Sequence, residues 1–220
     1  PPILGPLPIP PSSSVDEFRQ AAGQAQVLDT RSEVAFAPSH VPGALFVWAE
    51  GLSSWAGWFV TYDRPLLLVP SGHDASGVVR ALIRLGYDRF AGVLAGGMTA
   101  WHTSGEPSRK INTMTVQEQC RRLDEGAEQW ILDVRSLEEV KHVAIPGAHH
   151  IHLPHLPDNL DKVPRGRPIV VFCGSGLRSM IAASILQREG WDDLTVVLGG
   201  TAGWTSVSCP LISGGPEARQ

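Results

Sequence analysis

The stretch Pro168-Ile169-Val170-Val171-Phe172-Cys173-Gly174-Ser175-Gly176-Leu177-Arg178-Ser179 decides how this chain reads. Its first half is a continuous apolar run, the pattern of a parallel strand covered on both faces. Its second half is a loop with two glycines. Apolar residues at helical spacing follow, up to Gly190, a usual C-terminal cap. A strand that ends on a cysteine and turns at once into a helix puts that cysteine outside the carboxyl end of a sheet. Open α/β folds bind ligands there. The loop can curl its backbone N–H groups inward as an anion nest, and the positive end of the next helix adds to the field. Cys173, at the bottom of the cradle with Arg178 near its rim, is expected to be largely thiolate at neutral pH. Gly174, Ser175, Gly176, Leu177, Arg178 and Ser179 are the expected contacts of an anionic substrate.

The same pattern recurs about 104 residues upstream. VLDTRSEVAFAPSHVPGA (27–44) lies over ILDVRSLEEVKHVAIPGA (131–148), and LLLVPSGHDASGVVRALIRLGY (66–87) over VVFCGSGLRSMIAASILQREGW (170–191), both without a gap. VLAGGMTAW (93–101) matches VLGGTAGW (197–204) after a one-residue slip. Ordered blocks at one offset mean duplicated domains, because solenoid units run only about 20–50 residues. The expected organisation is a Pro-rich linker (1–13), a first domain (14–104), a connection (105–112), a second domain (113–208) and a tail (209–220). In the second repeat a helix opens under Thr115 as N-cap, with Glu118 three residues on. WILDVR reads as a strand ending at Asp133, IPGA as a turn and TVVLGG as another strand. Strands alternating with helices imply right-handed crossovers. The fold class is therefore α/β: two tandem domains, each a parallel-sheet core flanked by helices.

Composition bounds the function. The 220 residues suit one large domain or two of about 100 residues. Net charge is −4, with eight basic and nine acidic residues before Ile111 and ten against thirteen after it. Neither half is a nucleic-acid-binding domain on that balance. No apolar run approaches the ~18–20 residues of a membrane span, and PPILGPLPIPPSSS lacks the pattern of a signal peptide. Three cysteines without a C-x-x-C pair are too few for a disulfide framework or a thiolate zinc site. That count fits a reducing, cytoplasmic compartment. Cys120 and Cys209 have none of the features around Cys173 and read as free thiols. His149, His150, His152 and His155 form an H-H-x-H-x-x-H cluster in a turn-rich stretch, with no carboxylate before Asp158. They read as solvated side chains, with a place at the mouth of the Cys173 site as the alternative, and no metal or cofactor is expected. Trp101, Trp130 and Trp204 are expected in the core.

Cys-Gly-Ser-Gly-Leu-Arg-Ser resembles the active loop of rhodaneses, C-x-x-G-x-R-S. LDVR, IPGA and LGG-x-x-x-W stand where that family has them, so the likeness spans 115–205 and, through the repeat, 14–102. The resemblance implies a tandem rhodanese-like protein. Its cysteine would take sulfane sulfur from thiosulfate or a low-molecular-weight persulfide and pass it to a thiol or cyanide, one transfer split into two. Four residues separate Cys173 from Arg178. The related dual-specificity phosphatases and arsenate reductases place five there, which favours sulfur transfer over phosphatase chemistry. Asp133 and Arg135 match the family's D-x-R and read as an ion pair bracing the loop. The histidine of the family's G-H-I-P-G-A pattern is kept as His40 in the first repeat and lost, as Ala144, in the second, so it reads as packing or polar support rather than chemistry.

The first repeat carries Val69 where the second has Cys173, and Asp74 where the second has Arg178. Ser71 and His73 bring no base-and-orienter arrangement. Residues 14–104 are expected to be catalytically inactive, kept for packing, docking or shaping the mouth of the other site. A narrower resemblance rests on SSWAGWFVTYDRPLLLV (53–69), which looks like the rhodanese pair behind metallo-β-lactamase-fold persulfide dioxygenase domains. It implies that the Pro-rich opening, without an initiator Met, is the linker from such a domain and that this chain is a segment of a longer protein. The H-x-H-x-D-H iron motif is absent, so these residues should not oxidise persulfides. Two functions stay open: a sulfurtransferase enzyme, and a sulfur-carrier or docking module loaded only by a protein partner.

Overall fold

Each repeat builds one five-stranded parallel sheet, and the two sheets have the same strand order. The computed structural model describes residues 7–72, 74–204, 206, 207 and 209. The chain divides into two units, Pro1–Lys110 and Ile111–Gln220. The first contains β1 (Ser12–Ser13), α1 (Val15–Ala22), β2 (Gln26–Asp29), α2 (Glu33–Phe36), β3 (Leu45–Phe46), α3 (Leu52–Phe59), β4 (Leu66–Val69), α4 (Ser76–Arg84), β5 (Phe90–Leu94) and α5 (Gly97–Thr103). The second contains β6 (Asn112–Thr115), α6 (Val116–Asp124), β7 (Trp130–Asp133), α7 (Leu137–His142), β8 (Ala148–His150), β9 (Ile169–Phe172), α8 (Leu177–Arg188), β10 (Leu194–Leu198) and α9 (Gly200–Trp204). The orders are β1-β5-β4-β2-β3 and β6-β10-β9-β7-β8. Among the described residues no helix is long and apolar enough to cross a membrane.

The inner strands are the continuous apolar runs of the sequence. Every residue of β2, β4, β7 and β9 is buried, as helices on both faces of a parallel sheet require. Helix starts follow side-chain chemistry. Thr115 accepts the Glu118 N–H at 3.2 Å, and Ser136 and Glu139 form a reciprocal capping box that opens α7. Trp101, Trp130 and Trp204 are all buried, as expected. His40 is buried too, stacked on Phe36 at 3.8 Å with Nδ1 2.9 Å from the Phe36 carbonyl. Its contacts are those of packing and polar support within the first domain.

Three features differ from the sequence reading. Strand β1 takes Ser12 and Ser13 from the stretch read as linker, and β6 begins at Asn112, inside the stretch read as connection. Both are polar edge strands held by backbone pairing to β5 and β10, so no apolar alternation announces them. The third correction concerns the cysteines. Cys120 and Cys209 are not free thiols but a disulfide, with Cα atoms 5.5 Å apart. Helix α6 carries Cys120 against the core of Met114, Ile131, Val170 and Trp204, and the chain beyond α9 returns to the same core with Cys209. A separation of 89 residues hid that proximity. Residues 210–220 of the expected tail and residues 1–6 of the expected linker lie outside the described residues.

Candidate active site

Strand β9 lies between β10 and β7, and the chain runs from β7 outward to β8 on one side and from β9 outward to β10 on the other. The order reverses between β7 and β9, the crevice where α/β sheets bind ligands. Cys173 is the residue just beyond β9, and it is fully buried. Its Sγ accepts the backbone N–H groups of Gly176 at 3.1 Å and Ser179 at 3.4 Å. Gly176 makes the curl possible, with φ +110° and the Leu198 Cα 3.4 Å from where a Cβ would stand. Gly174 and Leu177 are half-buried and Ser175 is exposed at the tip. Ser179 is buried, and its hydroxyl has no hydrogen-bond partner among the described residues. Of the expected loop residues, Gly176 and Ser179 are the two whose N–H groups reach the sulfur.

The turn after β10 holds this loop from behind. Thr201 N–H donates to the Cys173 carbonyl at 3.1 Å, Ala202 N–H to that of Gly174 at 3.0 Å and Gly199 N–H to that of Ser175 at 2.9 Å. The loop carbonyls are therefore satisfied on the side of α9. Gly200 sits against them with φ +46°, and a Cβ there would stand 2.2 Å from the Cys173 carbonyl oxygen. LGG was legible in the sequence only as a landmark of resemblance; its function in positioning the loop was not.

Arg178 does not stand alone at the rim. Its guanidinium makes a two-pronged ion pair with Glu139, Nη1 to Oε2 at 2.7 Å and Nη2 to Oε1 at 2.6 Å. The bond with Arg178 holds the Glu139 carboxyl down to about 2, and Glu139 in turn pushes Arg178 further up. The guanidinium lies across the loop, with Nη2 2.8 Å from the place a Cβ on Gly174 would occupy. Sequence reasoning missed Glu139. Its signal was present: in the gap-free alignment Ala35 replaces Glu139 in the repeat that also replaces Arg178 and Cys173.

Asp133 and Arg135 behave oppositely. Both Asp133 oxygens accept from Arg135 Nε, at 2.9 and 3.0 Å, and Arg135 Nη2 also reaches the Val143 carbonyl at 2.7 Å. The first repeat keeps the same brace, Arg31 Nε to both Asp29 oxygens at 2.9 and 3.0 Å. A pair retained where the nucleophile is gone belongs to the fold. The histidines disperse: His149 stacks on Trp130 at 4.5 Å, and His150 Nε2 lies 2.8 Å from the Arg135 carbonyl. His152 is half-buried, and burial, then the neighbours His155, His150 and Arg178, push it below its ordinary value. Of the four histidines it is the one whose electrostatic neighbours include both Arg178 and Glu139, and the first repeat has Trp48 in its place. Among the described residues no group of three or more His, Cys, Asp and Glu is placed to hold a metal ion.

The corresponding loop of the first repeat is built differently. Val69 is buried at the end of β4, and α4 starts only at Ser76, whereas the frame of α8 would start it at residue 73. The exposed Asp74 accepts the Ser76 N–H at 2.8 Å and the Ser76 hydroxyl at 2.9 Å. In the second repeat the equivalent N–H, that of Met180, donates to the Gly176 carbonyl at 2.9 Å. Pro70 brings no N–H to the loop, and Ala75 replaces Ser179. His73 lies outside the described residues. Val69→Cys in a Cys173→Ser background is therefore expected to give no turnover above the uncatalysed rate. Adding Asp74→Arg and Pro70→Gly is the least change expected to raise it. Robust sulfur transfer from Val69→Cys alone, measured as thiocyanate formation, contradicts this.

The sequence matches the family description "Rhodanese-like domain" over residues 14–104 and again over residues 115–207. A sulfurtransferase of Allochromatium vinosum is 24% identical over 103 residues, covering 47% of this chain and 96% of that protein. The putative sulfurtransferase YtwF of Bacillus subtilis is 29% identical over 102 residues, covering 46% of this chain and 95% of its own length. Among solved structures, a thiosulfate sulfurtransferase from Pseudomonas aeruginosa aligns over 93% of this chain and 44% of its own, at 24% identity and a TM-score of 0.40.

Proposed function

The chain belongs to the rhodanese-like family, with two such domains in tandem, and on that premise we propose that the second domain is a sulfurtransferase working through a persulfide on Cys173. One observation carries the proposal: the only cysteine outside the disulfide lies buried at the bottom of a loop whose N–H groups already donate to its sulfur. These N–H groups point at the sulfur, and a second sulfur added there would extend from the same cradle. The Cys173 thiolate attacks the sulfane sulfur of the donor and its S–S bond breaks. A donor thiolate leaves from a persulfide, or sulfite from thiosulfate, and the enzyme keeps Cys–S–S⁻. A thiolate or cyanide acceptor then attacks the outer sulfur, leaves as persulfide or thiocyanate, and restores the Cys173 thiolate. The free Ser179 hydroxyl is a further donor for the outer sulfur.

The first domain lacks Cys173, Glu139, Arg178 and Ser179 together, and carries Val69, Ala35, Asp74 and Ala75 instead; we assign it no catalysis. The cytoplasmic setting expected from the sequence rested on unpaired cysteines, and the Cys120–Cys209 disulfide removes that ground, so the proposal commits to no compartment. A metallo-β-lactamase-fold persulfide dioxygenase domain as partner rests on residues 53–69 alone. The test is mass spectrometry of the whole chain after separate exposure to thiosulfate and glutathione persulfide. One added sulfur, mapped to Cys173 and removed by cyanide, is expected. An unmodified Cys173 with both donors refutes the enzyme.

A further inference from the structure

Glu139 and Arg178 are present together in the repeat that has the nucleophile and absent together from the one that does not. Asp133–Arg135, by contrast, is duplicated as Asp29–Arg31 with nearly the same distances. The comparison within one chain separates a brace of the fold from a feature of the site. Both nitrogens at the end of Arg178 are committed to Glu139, in a pair that leaves the two side chains 20% and 38% exposed. The guanidinium nevertheless stays within contact range of Gly174, the first residue of the loop. The pair as a whole carries no net charge. What remains to meet an incoming donor is the backbone N–H cradle.

Resting on the sulfurtransferase reading, we propose that Glu139 sets the charge preference of the Cys173 site: by neutralising Arg178 it selects donors whose reacting end carries at most one negative charge, low-molecular-weight persulfides, over the thiosulfate dianion. A dianion approaching the loop needs a full counter-charge, because its own solvation is lost and backbone dipoles supply only partial charges. Arg178 keeps further N–H donors beside the two that Glu139 holds, but it meets a dianion as half of a neutral pair, and its full counter-charge is available only when the carboxylate is lost. A persulfide reacts through a terminal sulfur of single charge, which the N–H groups can accommodate. Glu139 acts here through Arg178 and is a positioning residue. The sulfur balance is unchanged: the same S–S bond breaks, with a thiolate rather than sulfite as the preferred leaving group.

Glu139→Gln tests this in the full chain. Glutamine keeps the shape and the capping-box geometry with Ser136 while removing the charge. With cyanide as acceptor, kcat/KM is measured for thiosulfate and for glutathione persulfide. Wild type is expected to favour the persulfide. In the variant the thiosulfate-to-persulfide ratio should rise about tenfold, the effect of one freed charge-assisted contact, and mainly through KM for thiosulfate. An unchanged ratio, or equal losses with both donors, overturns the proposal and assigns Glu139 to the fold. If Glu139→Gln does not fold, Arg178→Gln carries the test, because it leaves the Glu139 carboxylate unneutralised. Thiosulfate turnover should then fall more than persulfide turnover, and an equal fall overturns the proposal. A wild type inert toward both donors overturns the sulfurtransferase reading and this proposal with it; a working wild type with an unmoved ratio overturns this proposal alone.

Discussion

Cys173→Ser is expected to abolish sulfur transfer to the uncatalysed level and to leave no added sulfur on the chain after exposure to donor. The hydroxyl fits the same space and accepts the same N–H groups, so the fold and loop should survive. Oxygen, however, cannot carry the sulfane sulfur between the two half-reactions. The contrast is the disulfide. Cys209→Ser should retain most of the transfer, because the N–H groups that hold the Cys173 sulfur come from Gly176 and Ser179 and a paired sulfur is no nucleophile. It should instead cost stability, on the order of 2–5 kcal/mol, with the long loop placing it toward the upper end. Thermal denaturation with and without reductant reads that cost. Near-normal turnover by Cys173→Ser refutes the site, and loss of turnover in Cys209→Ser would place the tail in the mechanism.

Gly200→Ala is expected to be the most damaging single methyl group in the second domain. The added Cβ would stand 2.2 Å from the Cys173 carbonyl oxygen, 2.5 Å from the Gly174 carbonyl carbon and 2.7 Å from the Gly174 oxygen. All three are backbone atoms, so no side chain can swing aside. Helix α9 and the loop must part, which breaks the hydrogen bonds from Gly199, Thr201 and Ala202 and releases the N–H cradle around the sulfur. Overpacking of this kind costs about 1–3 kcal/mol, and a left-handed alanine adds roughly 1–2. For a domain of about 100 residues that lowers the melting temperature by roughly 10 °C or more. Activity should fall at least about a hundredfold, as misplacement of reacting groups by an ångström does. Gly97→Ala is the control: Gly97 also has a positive φ, +56°, but nothing stands within 4 Å of its Cβ position. Equal effects of the two substitutions would mean that φ alone matters and that the loop is not held by α9.

Much of this protein is legible in its sequence. Apolar runs gave the inner strands β7 and β9, because a strand buried on both faces is apolar almost throughout. Self-comparison gave two domains, and the position of Cys173 at a strand end gave the nucleophile. Edge strands escaped, since Ser12–Ser13 and Asn112–Thr115 are held by backbone hydrogen bonds that any side chain permits.

The sequence by itself determined what is local: where strands stop, which loop can curl, and which repeat lacks a thiol. Only the tertiary structure decided what meets across distance. Glu139 lies 39 residues from Arg178, and Cys120 lies 89 from Cys209. No periodicity encodes such pairings. They exist because parallel crossovers bring the start of α7 to the loop after β9, and because one core receives both α6 and the chain beyond α9. Gly200 belongs with them: its need for glycine comes from the carbonyls of a loop 27 residues earlier, set against it by the pairing of β9 with β10.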